Sequence, residues 1–441
     1  MKMINLFRVP MFGGLSDQII VSLCNFALNV YLVRRISGSE YGVFSFLLSV
    51  MVFLNSMHQA FVTYPLSVYG ASASSREFDR LLIGAASATT VGAVVLVPLL
   101  VGAAASVGLL SLAISASIAM VAWQLQEVCR RGFLARSRFA AAIGSDSFRY
   151  AGVLACVVGL SAAAPVSLSA IFGVIAVGSA AGSGALVAAS LRNTSVAPRK
   201  ILDGFSERLR ITGPVIGANV LAAFSNQWFL WMLTWTHGFQ SSGALVALAN
   251  IAAVSSPVIF GVENIIVPEV SRERKNLSFD ALMSLVARRL AAGGLLIGPF
   301  LAAIVFWPGD AARLVYGRAS DYAELTSCLR LLAFAYGAFF CSTALSAALR
   351  GYCSGRAVLM IQLWPAVLGV TVGSMLIGTY GLEGACTATL LAASLRVLIA
   401  LYLVIQLREL TPRDAGTIVT CVSGSQSELR DGQCDEFAGA R

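Results

Sequence analysis

Residues 390–404, LLAASLRVLIALYLV, carry a single charged side chain, Arg396, in an otherwise largely apolar stretch. The stretch lies within a run from residue 382 to residue 407, which exceeds the roughly 20 residues that an α-helix needs to cross the hydrocarbon layer of a bilayer. Similar runs recur along the 441-residue chain, which is 57% hydrophobic and only 12% charged. A soluble domain carries about 25% charged residues. The sequence therefore predicts an all-α, polytopic membrane protein.

Twelve apolar runs are long enough to be predicted as transmembrane helices. They divide into an N-terminal lobe of six helices within residues 1–200 and a C-terminal lobe of six helices within residues 201–407. Residues 408–441 are too polar to pack and are predicted to form a disordered cytoplasmic tail. The predicted helices cover residues 13–33, 43–65, 81–103, 107–125, 143–163, 168–190, 211–235, 243–266, 286–307, 329–349, 357–378 and 382–407.

Basic residues are distributed unevenly between the two sides of the predicted helices. Of the 31 Lys and Arg residues, Arg149 and Arg396 lie within helices, and all but five of the others fall on one side if the N-terminus is inside. Basic residues accumulate in cytoplasmic loops. The asymmetry therefore predicts that both termini are cytoplasmic, and it explains the net charge of +9 without a nucleic-acid partner. The five exceptions are Arg34, Arg35, Arg313, Arg318 and Arg330.

An offset of 201 residues aligns polar residues and glycines at matching places in the two halves. Six helices per lobe is an even number, so both lobes enter the membrane in the same direction. Parallel repeats of this kind are typical of transporters whose lobes rock about a central cavity, although chance matches between two Leu- and Ala-rich halves are the alternative. The aligned pairs are Gln18 with Asn219, Asn25 with Asn226, Gly42 with Gly243, and Phe78-Asp79 with Phe279-Asp280.

Polar side chains follow one face of the first predicted helix at the spacing of an α-helix. Ser and Asn often provide helix-to-helix hydrogen bonds within a bundle, which is the simpler explanation for any one of them. Polar stripes in both lobes favour a hydrated cavity between the lobes. The predicted cavity residues of this kind are Gln18, Ser22, Asn25 and Asn29 in helix 1, Asn219 and Asn226 in helix 7, and Asn250 in helix 8.

Ionisable residues within the membrane are costly and usually have a function or a partner. Arg396 lies midway along helix 12 with no acid one turn away, and it is predicted to face a cavity or to find a partner on another helix. Arg149 follows Asp146 by three residues, so the alternative to a cavity role is an ion pair between them. Arg34 is a further cavity candidate, for which interfacial anchoring is the alternative.

Asp17 and Glu263 lie near helix ends and could carry a coupling proton or Na⁺, although acids at helix ends also extend into the interface. A deeply placed guanidinium favours an anionic ligand, because it binds phosphate oxygens through two parallel hydrogen bonds. The amide and hydroxyl side chains along these helices can form hydrogen bonds with sugar hydroxyls. Together these features point to a lipid-linked pyrophosphate glycan as the ligand.

The sequence offers no catalytic or metal-binding motif. His58 and His237 are too few and too far apart in sequence for a metal site or a histidine-based triad, and no Walker A sequence is present. We therefore expect a protein that is not an enzyme and that needs no cofactor, apart from a coupling ion.

Three segments resemble polysaccharide-export flippases of the Wzx type, within the multidrug/oligosaccharidyl-lipid/polysaccharide exporter superfamily. Residues 14–50, GLSDQIIVSLCNFALNVYLVRRISGSEYGVFSFLLSV, match the first two helices of these flippases. Residues 130–139, RRGFLARSRF, followed by Asp146 and Arg149, match the loop after helix 4, and residues 348–358, ALRGYCSGRAV, match the loop after helix 10.

The resemblance implies two lobes around a cationic cavity, alternating access, and export of a polyprenyl-pyrophosphate-linked oligosaccharide across the bacterial inner membrane for surface polysaccharide synthesis. It implies membrane lipids, the lipid-linked oligosaccharide and other membrane proteins of polysaccharide assembly as partners, and it makes Arg149 and Arg396 cavity residues. Two alternatives remain. One is an ion-coupled multidrug or metabolite antiporter of the same superfamily. The other is a membrane glycan polymerase or ligase, for which only residues 308–329 offer an outer loop of any length.

Overall fold

The computed structural model describes the backbone of residues 10–70, 73–193, 205–274, 276–318, 320–352 and 355–410. These residues form twelve long helices, which we number α1 to α12 and divide into an N-lobe (α1 to α6) and a C-lobe (α7 to α12). A short helix, Pro308–Tyr316, and a single turn, Asp321–Ala323, lie between α9 and α10. The predicted boundary near residue 200 and the predicted tail beyond Leu410 lie outside the described residues.

The N-lobe helices are α1 (Pro10–Arg35), α2 (Gly38–His58, continued through Gln59–Thr63 and Tyr64–Gly70), α3 (Ser75–Ser106), α4 (Leu110–Ala135), α5 (Phe139–Ala163) and α6 (Leu168–Asn193). The C-lobe helices are α7 (205–237), α8 (239–252, continued through Ala253–Ser255 and Ser256–Glu273), α9 (Phe279–Phe306), α10 (Thr326–Tyr352), α11 (Gly355–Leu368, continued through Gly369–Gly373 to 380) and α12 (382–410).

Two glycines divide what would otherwise be two very long helices. Gly238 has φ 77° and Gly381 has φ 56°, a left-handed conformation that is costly for other residues. The chain reverses direction at Gly381, because a Cβ placed on Gly384 would lie only 2.0 Å from the carbonyl oxygen of Leu376. Among the described residues, eight continuous helical stretches are long and apolar enough to cross a membrane, and two of them contain these glycines. The predicted fold class, an all-α polytopic membrane protein, is confirmed.

Several helices begin before the apolar runs that predicted them. At α2, the Ser37 side chain accepts a hydrogen bond from the backbone N–H of Glu40, and the Glu40 carboxylate accepts one from the backbone N–H of Ser37. Ser74 and Glu77 form the same capping box at α3. Capping boxes satisfy backbone groups at a helix start. The polar first turns therefore remain helical, although their sequence is too polar to belong to a membrane core.

The lobes meet where α2 packs against α7 and α8. Within this contact, the Trp231 indole N–H donates to Ser49 across the interface at 2.8 Å. The ring of Phe53 lies edge-on to the ring of Trp231, with the centroids 5.4 Å apart. Such aromatic pairs contribute about 0.5–1.5 kcal/mol beyond their buried area. This contact fixes α7, which supplies part of the cavity described below, against the N-lobe.

Glycines allow the lobes to approach each other closely at one end of α2. We call this end outer because its loop to α1 is on the predicted outer side. A Cβ on Gly42 would lie 1.8 Å from the carbonyl oxygen of Phe239, and a Cβ on Gly243 would lie 2.5 Å from that of Gly38. Under the 201-residue offset, Gly42 corresponds to Gly243 and Gly38 corresponds to Phe239. Two contacts that exchange partners in this way are characteristic of a two-fold axis, so the outer ends of the lobes meet on their pseudosymmetry axis.

Candidate functional site

A cavity of about 460 Å³ lies within the C-lobe, between α7, α8, α10 and α12, and Asn29 of α1 also lines it. Both arms of the hairpin at Gly238 line it. Asn226 lies twelve residues before that glycine and Asn250 lies twelve residues after it. Apolar side chains such as Leu230 and Phe339 form much of the wall. The polar lining residues are Asn29, Asn226, Gln227, Asn250, Ser256, Tyr336, Thr389 and Arg396.

Arg396 is the charged residue among those lining the cavity, and its side chain is only 8% exposed. One terminal nitrogen, Nη2, donates to the Asn226 amide oxygen at 3.1 Å and to the Ser225 hydroxyl at 3.4 Å. Its Nε–H is buried and has no hydrogen-bond partner among the described residues. A buried charge without a paired carboxylate is costly, and its unused donor points to an acceptor-bearing ligand.

The predicted stripe on α1 is only partly described. The side chains of Asp17 and Gln18 lie outside the described residues. Ser22 is half-buried and Asn25 is exposed. Asn29 reaches the cavity, where its amide N–H donates to the Asn25 carbonyl at 2.9 Å and its amide oxygen accepts from the Tyr41 hydroxyl at 2.8 Å. The structure therefore brings one member of the α1 stripe next to Asn226 and Arg396.

Three other predicted residues do not line this cavity. Asn219 is exposed on α7, two turns before Asn226. Arg34 lies at the outer end of α1, where its guanidinium donates to the carbonyl oxygen of Val315 in the short outer helix. Glu263 on α8 forms an ion pair with Arg350 on α10. The contacts of Arg34 and Glu263 join helices to one another. The predicted residues that do line the cavity are Arg396, Asn29, Asn226 and Asn250.

Arg149 and Asp146 belong to a separate buried cluster at the inner end of α4 and α5. Gln126 links them, since its amide N–H donates to Asp146 at 2.7 Å and its amide oxygen accepts from Arg149 at 2.9 Å. The carboxylate of Asp146 is ion-paired with Arg130. The guanidinium of Arg149 lies over the ring of Trp123, 4.6 Å from its centroid. Arg149 is thus held by protein groups and does not line the C-lobe cavity.

Three members of this cluster, Gln126, Glu127 and Arg130, were not predicted as intramembrane residues from the sequence. Glu127 is 5% exposed and accepts from Arg131 at 2.7 Å. Polar residues follow residue 125, so the predicted helix 4 ended there. Gln126, Glu127 and Arg130 were therefore assigned to a loop. The structure continues α4 to Ala135, so they lie inside the bundle. The signal that could have found them was the helical spacing of Glu127 and Arg131, which suits an ion pair.

The short helix Pro308–Tyr316 contacts α8 next to Val246 and Ala249, which line the cavity. The Tyr316 hydroxyl donates to the carbonyl oxygen of Ala247 in α8 at 2.7 Å. Burial raises the pKa of the Tyr316 phenol, so the proton that this bond needs is retained well above neutral pH. Within the described part of the chain, no group of three or more His, Cys, Asp or Glu side chains could hold a metal ion.

No protein-family model matches the chain, and no curated protein matches it. Solved structures match its fold. The chain aligns with the inward-facing conformation of a multidrug resistance transporter of the MATE family, in the MOP superfamily, with a TM-score of 0.73 and 13% identity, over 90% of this chain and 96% of that one. It aligns with the lipid II flippase MurJ in an inward closed conformation with a TM-score of 0.68 and 15% identity, over 88% and 86% of the two chains.

A third structure matches with a lower score. An outward-facing MATE-family transporter aligns over 92% of this chain and 95% of that one, at 15% identity, with a TM-score of 0.53. The chain therefore has the fold of these transporters.

Proposed function

We propose that this protein is a flippase that moves a polyprenyl-pyrophosphate-linked oligosaccharide across the bacterial inner membrane by alternating access, for surface polysaccharide synthesis. The observation that carries the proposal is the buried guanidinium of Arg396, which lines the cavity and has an N–H donor without a hydrogen-bond partner among the described residues. A pyrophosphate supplies the negative charge and the acceptor oxygens that this donor lacks.

The rest of the cavity suits the groups next to a pyrophosphate. Amides of Asn226, Gln227 and Asn250 and the hydroxyls of Tyr336 and Thr389 can bind sugar hydroxyls. The apolar wall suits the start of a polyprenyl chain. A volume of about 460 Å³ is within the range of about 300–1,000 Å³ that is usual for ligand sites. The cavity would therefore hold the pyrophosphate and the sugar next to it.

Alternating access is supported by the arrangement of the lobes. The outer ends of α2 and α8 meet through glycines on the pseudosymmetry axis, so this contact lies where rotation of one lobe against the other would open the outer side. Transporters built from parallel repeats rock about such an axis. We expect the cavity to open to the inner side in the present conformation and to the outer side after the lobes rotate.

A multidrug antiporter is the second candidate, since a MATE-family multidrug transporter has the same fold. The charge of the cavity separates the two candidates. A lipophilic cation would be repelled by Arg396, and the residues that line the cavity include no Asp or Glu to offset that charge. The pairing of a cationic cavity with sugar-binding amides favours the flippase.

The test is complementation of a strain that lacks this protein. We expect Arg396→Ala to abolish surface polysaccharide and Arg396→Lys to retain part of it, with both proteins present in the membrane at normal amounts. Arg330→Ala is the matched control. Arg330 lies in the same lobe, at the outer end of α10, but it donates to the Val305 carbonyl of α9 and does not line the cavity. Normal polysaccharide with Arg396→Ala would refute the proposal, and drug accumulation in the deletion strain with unchanged polysaccharide would favour the antiporter.

A further inference from the structure

His58 lies at the end of the first part of α2, directly before the π turn Gln59–Thr63. Its side chain is 4% exposed, and its Nε2 lies 2.8 Å from the hydroxyl of Thr89 on α3. The chain has only one other histidine, His237. Neither the cavity nor the ion pairs described above use His58, so its buried imidazole requires its own explanation.

The hydrogen bonds of Thr89 fix the tautomer of His58. The Thr89 hydroxyl donates its proton to the carbonyl oxygen of Ala85 at 2.8 Å. It therefore has no proton to give to His58, and Nε2 of the imidazole must be the donor between them. Nδ1 is then left as a bare acceptor. It is buried and has no hydrogen-bond partner among the described residues.

A buried acceptor without a hydrogen-bond partner is destabilising. The lone pair on Nδ1 is the part of an imidazole that accepts a proton, and imidazole is the side chain whose ordinary pKa lies closest to physiological pH. The π turn that follows His58 interrupts the regular hydrogen bonding of α2, and such turns are frequent at functional sites. The position thus combines a proton acceptor with a place where α2 departs from regular geometry.

The charged group that acts on His58 lies on α4. The Glu127 carboxylate interacts electrostatically with the ring, and Arg130 and Arg131 are ion-paired with the same carboxylate. From α3 the neighbour is the neutral hydroxyl of Thr89, and on α2 itself the neutral amide of Asn55 lies one turn earlier. A proton on His58 would be stabilised by the negative charge of Glu127.

We propose that Nδ1 of His58 is the binding site for a proton that couples transport to the proton gradient. In the present conformation the imidazole is neutral and hydrogen-bonded to Thr89. When the lobes rotate, the proton binds Nδ1 and the imidazolium interacts with Glu127. The inference rests on the proposed function only in assuming that the lobes alternate between two conformations.

The test measures separation of the outer ends as a function of pH, which requires no substrate. Spin labels replace Leu110 at the outer end of α4 and Leu314 in the short outer helix, both exposed, in a variant without other cysteines. His58→Gln keeps an N–H that can donate to Thr89 but cannot take up the proton, and His237→Gln is the matched control. We expect acidification from about pH 8 to about pH 5 to populate a longer label distance in the parent protein and in His237→Gln but not in His58→Gln.

Two results would overturn the inference: an unchanged pH response in His58→Gln, or no pH response in the parent protein. Nitrogen NMR of His237→Gln, in which His58 is the only histidine, provides a second measurement. We expect the neutral Nε2–H tautomer at neutral pH, and the Nδ1–H tautomer would contradict the proposal. Failure of the flippase proposal is distinguishable, because a lipid-linked sugar would then not be moved while the pH response of His58 persisted.

Discussion

Gly42 of α2 and Gly243 of α8, which are 201 residues apart in the chain, lie in direct contact. A Cβ placed on Gly243 would lie 3.0 Å from the backbone nitrogen of Gly42 and 3.2 Å from its Cα. Residues that are equivalent in two repeats can touch each other only where the symmetry axis passes between them. This contact therefore marks both the axis about which the lobes are related and the point at which they are closed on the outer side.

Gly42→Val is expected to prevent this closure. The new Cβ would lie 1.8 Å from the carbonyl oxygen of Phe239, a backbone atom that cannot move aside alone. The outer ends should separate, which distance measurements between spin labels at positions 110 and 314 would detect, and transport should be lost. Gly92→Val on α3 is the control, because nothing lies within 4 Å of its Cβ position. A closed outer face in Gly42→Val would contradict the axis that we assign.

The hairpin between α11 and α12 leads to a prediction about stability. Gly384→Ala would place a methyl group 2.0 Å from the Leu376 carbonyl oxygen, and overpacking of this kind costs about 1–3 kcal/mol. Gly378→Ala meets nothing within 4 Å and should be neutral or slightly stabilising. Denaturant titration of the two purified variants would measure the difference, and equal stabilities would mean that the reversal at Gly381 is placed wrongly.

The buried cluster around Asp146 should be important for stability. Asp146 is 1% exposed and is ion-paired with Arg130, and removal of one partner of a buried pair costs about 3–5 kcal/mol. We expect Asp146→Asn to lower the free energy of unfolding by this amount. Asp310→Asn is the matched control, since Asp310 pairs with Arg313 at the exposed outer surface and should change stability by less than about 1 kcal/mol. Similar losses of unfolding free energy in both variants would contradict this prediction, because the buried ion pair would then stabilise the protein no more than the exposed one.

The sequence was sufficient to predict the fold class because each membrane-spanning helix needs about 20 consecutive, mostly apolar residues. Every predicted span, for example residues 382–407, corresponds to a helix or to one arm of a hairpin in the structure. The positions of the ends were less accurate. The capping boxes at Ser37 and Ser74 extend α2 and α3 beyond the apolar runs, and hydropathy has no information on capping.

The candidate site was only partly predictable for a different reason. The sequence identified Arg396, Asn226 and Asn250 as intramembrane polar residues, but their common cavity depends on the reversal at Gly238, which joins α7 to α8 with almost no loop. The partners of Arg149 depend on α4 continuing past residue 125. The unused acceptor of His58 becomes visible only when the hydrogen bonds of Thr89 are traced. Such features are properties of tertiary contacts.

The most direct test of the central claim is a translocation assay in lipid vesicles. Purified protein would be reconstituted with a polyprenyl-pyrophosphoryl N-acetylglucosamine that carries a fluorophore on the sugar, and a membrane-impermeant reductant would report which leaflet holds it. We expect vesicles with the parent protein or Arg330→Ala to lose inner-leaflet fluorescence as the probe is moved. Arg396→Ala should slow this loss by about 10- to 100-fold, the value of one hydrogen bond to a charged group. Equal rates for Arg396→Ala and the parent protein, or a parent protein no faster than protein-free vesicles, would contradict the account.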